Sequence, residues 1–156
     1  MEYELLPLQR DFIESIAAIE RLCFSDPWSA GSLLEEVDNP NAVFLVCRQK
    51  GGPVVGYAGF LYVLDEGYIA NIAVHPAFRR SGVGDALMKG LLSEARLRGL
   101  SFLTLEVRRG NLPAVGLYKK YGFIPCGLRR GFYEKPREDA LLMKFTFGDE
   151  YENSGD

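Results

Sequence analysis

A chain of 156 residues, 47% of them hydrophobic and 25% charged, is long enough to bury one sizeable core and has the balance of an ordinary globular domain. A formal net charge of −3 and a pI of about 5.3 disfavour a non-specific nucleic-acid binder and suit a cationic acceptor such as an amine. The 3 cysteines are scattered and the only histidine is His75, so a disulfide framework, a metal-ligand cluster and a Cys–His nucleophile pair all lack the spacing they need.

The N-terminus, MEYELLPLQRDF, carries early acids and no long apolar run, which argues against a signal peptide. No stretch approaches about 18 uninterrupted apolar residues, so a cytoplasmic protein without a membrane partner is expected. Tyr3 to Leu6 predicts a short strand closed by Pro7. From Asp11 onward, Phe12, Ile16, Ile19 and Cys23 recur at helical spacing. Asp26-Pro27-Trp28-Ser29 breaks that helix, and Ser29 is placed to cap a second one with Leu33, Leu34 and Val37 inside. Trp28, the only tryptophan, either anchors the core or lines a substrate groove.

Asn39-Pro40-Asn41 turns the chain into a buried strand over Ala42 to Cys47. A hairpin at Gln49-Lys50-Gly51-Gly52 leads to a second strand, Val54 to Val63, whose Gly56 and Gly59 mark a bulge or a close backbone approach. Leu64-Asp65-Glu66-Gly67 turns again into Tyr68 to Val74, which completes an antiparallel meander. His75-Pro76 ends regular pairing, a setting that fits a turn better than catalysis. After the loop, a helix with Val83, Leu87, Leu91 and Ala95 on one face runs to Arg98-Gly99. Ser101 to Val107 is the next strand, and the strand–helix–strand path makes it parallel to Tyr68 to Val74. Asn111 is placed to cap a helix from Leu112 to Tyr121, with Pro113 in its first turn and Gly122 after its end. Phe123 to Cys126 begins a strand that resumes at Gly131 to Tyr133, and Ala140 to Phe147 is the last. Residues 1–147 are therefore expected to form a single domain. Residues 148–156, with 4 acids and no base, are expected to be a disordered tail.

Two places along this path carry chemistry. Arg79-x-x-Gly82-x-Gly84, between a strand and a helix, offers free backbone N–H groups, the positive helix end and arginine charge, a setting for phosphate or pyrophosphate. It fits neither the P-loop, since no Gly-Lys-Ser/Thr follows, nor the dinucleotide fingerprint, which needs a third glycine. Glu106 lies in a strand expected to be buried on both faces, where a carboxylate is costly unless paired or useful. It either pairs with Arg108 or Arg109, points past the sheet edge, or serves as a general base. Tyr118 stands 7 residues after Asn111, nearly two helical turns, either as a core aromatic or as a hydroxyl turned toward a ligand. Gly116 inside that helix costs about 1 kcal/mol relative to alanine, which points to close packing or ligand approach.

The element order β-α-α-β-β-β-α-β-α-β-β, a mixed α/β sheet, and the Arg-x-x-Gly-x-Gly loop resemble the GNAT superfamily of N-acetyltransferases, whose loop cradles the acyl-CoA pyrophosphate. Pro27-Trp28-Ser29, Asn71-Ile72-Ala73-Val74, Leu105-Glu106-Val107-Arg108, Asn111, Leu117-Tyr118, Gly122-Phe123, Arg129-Arg130 and Arg137-Glu138-Asp139-Ala140 narrow it to the RimI-type branch. The match spans roughly residues 3 to 147; Leu112-Pro113 departs from the small residues common there. The resemblance implies an acetyl-CoA-dependent enzyme that acetylates the N-terminal alanine of a small-subunit ribosomal protein, without metal or covalent enzyme intermediate. Glu106 is then the proton acceptor and Tyr118 the proton donor. Ile72, Ala73, Val74, Arg79, Arg80, Ser81, Gly82, Val83, Gly84, Asp85 and Asn111 contact acetyl-CoA. Trp28, Arg130 and Tyr133 border the acceptor. The expected partners are acetyl-CoA and a protein N-terminal peptide, with no nucleic acid, in a monomer or weak dimer. Acetylation of lysine or a small amine, or acyl-CoA binding without turnover, are the competing functions.

Overall fold

The structure, a computed structural model, describes residues 2–148. Its strands are β1 (Tyr3–Pro7), β2 (Ala42–Gln49), β3 (Val54–Val63), β4 (Glu66–Val74), β5 (Phe102–Arg108), β6 (Ile124–Glu134) and β7 (Arg137–Thr146). Its helices are α1 (Ile13–Cys23), α2 (Ala30–Val37), α3 (Val83–Leu97) and α4 (Leu112–Lys120). The order is the expected one, and the strands hydrogen-bond in the sequence β1-β2-β3-β4-β5-β7-β6. The described residues fold as two compact units, one holding residues 2–61 and 70–94, the other residues 62–69 and 95–148.

In the first unit β1, β2 and β3 form an antiparallel meander, with Tyr3 opposite Gln49 and Ala42 opposite Leu61. α1 turns Ile13, Ile16, Ala17 and Ile19 inward onto Phe44, Val46, Tyr57 and Ala73. Gly59 is required there: a Cβ on it would stand 2.1 Å from the ring of Phe44. Ser29 caps α2 as expected, its Oγ accepting from Ser32 N at 3.1 Å. Of the three residues expected to face inward on α2, Leu33 is buried but Leu34 is 37% exposed, because an eight-residue helix lying on one surface covers a single stripe.

In the second unit the start of β4 pairs in parallel with β5, from Glu66 opposite Phe102 to Tyr68 opposite Thr104. β4 therefore begins two residues earlier than expected, and the turn before it tightens around Leu64, which adopts a φ of 55°. β5 pairs on its other edge with β7, antiparallel, Glu106 opposite Leu142. Burial along β5 alternates, with Leu103, Leu105 and Val107 buried and Phe102, Thr104, Glu106 and Arg108 half-buried. The expectation of burial on both faces is thus corrected. An antiparallel neighbour leaves this strand one covered face and one more open face. β6 is also continuous rather than interrupted, because register shifts after Pro125 and after Arg129 absorb the irregular residues. Tyr118, Phe123, Phe145 and Phe147 pack in sequence, tilted or edge-on, with successive ring centroids 5.9, 5.7 and 4.7 Å apart. Gly116 faces open space, with no atom within 4 Å of where a Cβ would stand, so close packing does not explain it. The acidic tail falls, apart from Gly148, outside the described residues.

Candidate active site

The loop between β4 and α3 is built by local hydrogen bonds. His75 N donates to Val55 O at 2.8 Å, and its Nδ1 accepts from Ala77 N at 3.0 Å, closing a single 3-10 turn over Pro76–Phe78. The only histidine is thus a turn residue. Arg80 then adopts a φ of 63° and Gly82 one of 90°, two left-handed steps that swing the chain into α3. Ser81 ties the turn down by donating to Phe78 O and accepting from Tyr3 at 2.9 Å. The first intrahelical bond runs from Ala86 N to Gly82 O, so the amides just before Ala86 have no partner within the helix. Such a cluster, at a positive helix end beside two arginines, is chemically matched to a pyrophosphate. Arg79 leans back toward α1, its Nη2 3.6 Å from Cys23 Sγ. Trp28, half-buried, rests 6.2 Å from the Phe44 ring, so it is partly a core anchor.

The second unit holds the other candidates. Glu106 has a side chain only 10% exposed, and its Oε2 is buried without a hydrogen-bond partner. Neither arginine that the sequence offers reaches it: Arg108 pairs with Glu138 at 3.3 Å and Arg109 with Asp139 at 3.7 Å. The nearest cation is Arg129, 57% exposed, at a long 3.8 Å. Beside Glu106, β5 pairs with β7 through Leu142, whereas its parallel pairing with β4 ends at Thr104. Tyr68 hydrogen-bonds its carboxylate, and burial followed by that negative charge pushes the Tyr68 phenol up to about 12. Tyr133 is raised too, by burial first and by Glu106 next, and the Arg108 guanidinium lies 4.3 Å over its ring. Tyr118 is 4% exposed, and burial pushes its phenol far up, so its hydroxyl stays protonated at neutral pH. Asn111 caps α4 by accepting from Ala114 N at 3.3 Å, and Arg130 is exposed.

The profile of the acetyltransferase (GNAT) family matches residues 13–123. The chain belongs to that family. A relative from Bacillus subtilis (strain 168) is 38% identical over 138 residues, covering 88% of this chain and 91% of that protein. The [ribosomal protein bS18]-alanine N-acetyltransferase of Escherichia coli (strain K12) is 35% identical over 127 residues, 80% of this chain and 84% of that enzyme. The crystal structure of the ribosomal-protein-S18-alanine N-acetyltransferase from Escherichia coli superposes with a TM-score of 0.85 at 31% identity, covering 93% of this chain and 94% of that one. The chain is accordingly an N-acetyltransferase that uses acetyl-CoA as cosubstrate.

Two members of this GNAT domain's polar framework escape a reading of the sequence. One is Tyr68, an ordinary strand aromatic until the parallel register with β5 sets it beside Glu106. The other is Glu20, fully buried on α1 and bonded to three groups: Trp28 N at 2.8 Å, Tyr57 OH at 2.7 Å and Asn71 Nδ2 at 2.6 Å. Burial raises its carboxyl despite these donors. A carboxylate one residue after Ile19 and four after Ile16 lies within the apolar stripe, and that placement was the available signal. Among the described residues no cluster of three or more metal-ligating side chains occurs, and no helix is long and apolar enough to cross a membrane.

Proposed function

We propose that this enzyme acetylates the α-amine of a protein N-terminus, the N-terminal alanine of a small-subunit ribosomal protein of the bS18 kind. The acceptor class follows the Escherichia coli relative, named for bS18 alanine, which is 35% identical over 84% of its own length. The observation that carries the mechanism is the Glu106 carboxylate, nearly covered yet holding one oxygen without a partner. A buried acceptor left unsatisfied is costly to stability, and a proton from an incoming amine relieves that cost. An N-terminal α-amine has a pKa near 8, against about 10.4 for lysine, so a carboxylate base is adequate for the first and poorly matched to the second.

The pyrophosphate of acetyl-CoA sits on Arg79, Arg80 and the amides of Ser81 to Asp85, with Asn111 as a further contact. Its pantetheine arm pairs strand-fashion with Ile72, Ala73 and Val74. His75 bonds to β3 through its amide, so by strand alternation Ile72 and Val74 turn their backbone groups to the opposite edge of β4. The amine attacks the thioester carbonyl directly. Glu106 takes its proton, Tyr118 returns one to the departing CoA thiolate, and no bond to the enzyme forms. Trp28, Arg130 and Tyr133 border the acceptor peptide. We place the enzyme in the cytoplasm as a monomer or weak dimer, acting without nucleic acid or membrane. Mass spectrometry after incubation with acetyl-CoA tests the acceptor. One acetyl group is expected on an alanine-ending peptide and none on an end-blocked peptide whose only amine is lysine. Acetylation of the second peptide instead of the first overturns the proposal.

A further inference from the structure

Glu20 sits where an apolar residue would satisfy packing. Replacing a buried, hydrogen-bonded charge by a well-packed apolar side chain is often neutral or stabilising, so stability alone does not explain a carboxylate at this position. Its geometry suggests another purpose. Oε1 accepts from Trp28 N and so fixes the segment between α1 and α2. Oε2 accepts from Tyr57 OH and from Asn71 Nδ2, and Asn71 Nδ2 lies 2.9 Å from Tyr57 OH as well. A carboxylate can only accept, so it dictates which way the Asn71 amide points. With Nδ2 held by Glu20, Oδ1 is directed to Ile72 N, which donates to it at 3.0 Å. One turn further along α1, the Cys23 thiol donates to Val74 O at 3.3 Å. α1 therefore grips β4 at two points, Asn71 and Val74, which bracket Ile72 and Ala73 in the segment proposed to hold the acyl arm.

We infer that Glu20 is a positioning residue for acetyl transfer: through Asn71 it sets the backbone of Ile72, and through the Trp28 amide it sets the acceptor-bordering segment. This rests on the proposed roles of Ile72 to Val74 and Trp28. Neither Glu20 nor Asn71 needs to touch the reacting atoms.

Glu20→Gln keeps the side-chain shape and the acceptor for Trp28 N, but turns an amide N–H₂ toward Tyr57 OH and Asn71 Nδ2. Two N–H₂ groups cannot bond each other, so Asn71 must reorient. Acetyl-CoA affinity, measured by calorimetry, should fall about fivefold, and kcat with an alanine-ending peptide about tenfold, with KM for the peptide little changed. Asn71→Ala should reproduce both losses. The emission maximum of Trp28, the only tryptophan, should stay unmoved in both variants, since Oε1 still holds its amide, and should shift in Glu20→Ala. A merely structural role predicts a lower melting temperature with acetyl-CoA affinity and kcat per folded molecule within twofold of the parent, and that result overturns the inference. If Glu20→Gln does not fold, Asn71→Ala decides: unchanged acetyl-CoA affinity sinks the proposal, and a fivefold loss sustains it. Calorimetry and emission need no acceptor. A parent enzyme that binds acetyl-CoA but leaves alanine peptides unmodified would refute the acceptor assignment while these two readouts still judge Glu20.

Discussion

Glu20 and Glu106 are both carboxylates that folding removes from solvent, one in each compact unit, and they are treated in opposite ways. Glu20 is fully buried and gathers three donors, so both of its oxygens are engaged. Glu106 keeps a 10% exposed side chain, one tyrosine, a distant arginine and an oxygen with nothing to accept. A saturated carboxylate holds other groups in place and has no capacity left for a proton in transit. An unsaturated one is a poor structural element and a ready proton acceptor. The same side chain thus becomes framework or reagent according to how many donors the fold aims at it.

The largest effect expected from this contrast is on turnover. Glu106→Gln should lower kcat with acetyl-CoA and an alanine-ending peptide by about 10³-fold, within the range for removal of a general base. A variant that kept the parent kcat would take Glu106 out of the proton path. The same substitution should leave urea-unfolding stability within about 1 kcal/mol of the parent, because one unsatisfied acceptor is all that is lost. Glu20→Ala should do the reverse to stability. Stranding three donors should cost about 3 kcal/mol in the same unfolding experiment. A loss smaller than that of Glu106→Gln would erase the distinction between the two sites.

Next in size is Tyr118→Phe. Burial keeps this hydroxyl protonated, as a donor to a leaving thiolate must be. A loss of about 10² in kcat is expected with acetyl-CoA binding retained, and an unchanged kcat would return Tyr118 to the aromatic row beside Phe123. The smallest effect concerns the thiols. Cys47 is buried and its thiol is pushed up to about 11 by desolvation; Cys23 is raised by the same cause, whereas Cys126, in the unit of Glu106, is exposed. At pH 8 one thiol should react quickly with Ellman's reagent and two only after denaturation. Rapid reaction of all three would mean that the Glu20 unit opens far more readily than its packing implies.

The parts of this fold legible in the sequence are those whose cause is local. Ser29 and Asn111 cap helices within three residues of themselves. The Arg79 to Gly84 loop is recognisable because its glycines and charges are contiguous. Illegible features depend on partners far along the chain. Glu20 carries a charge on a helix whose apolar spacing was carried by its neighbours, and its donors come from 8, 37 and 51 residues away. Tyr68 meets Glu106 only because Tyr68 pairs with Thr104, whose side chain shares a face of β5 with Glu106. The length of β6 is hidden for a related reason: the sequence reads as a strand that stops at Cys126 and resumes at Gly131, whereas register shifts against β7 let it run on.

Arg80 has a consequence for how this protein trades one property against another. It holds a φ of 63°, a conformation glycine enters freely and other residues adopt at a cost of about 1 kcal/mol. A chain selected for resistance to unfolding alone would carry glycine at that position. Arginine there marks stability surrendered for charge at the positive end of α3. A thermostabilised variant obtained by replacing Arg80 with glycine is therefore expected to hold its anionic ligand more weakly, a stability–activity trade-off located in a single backbone angle.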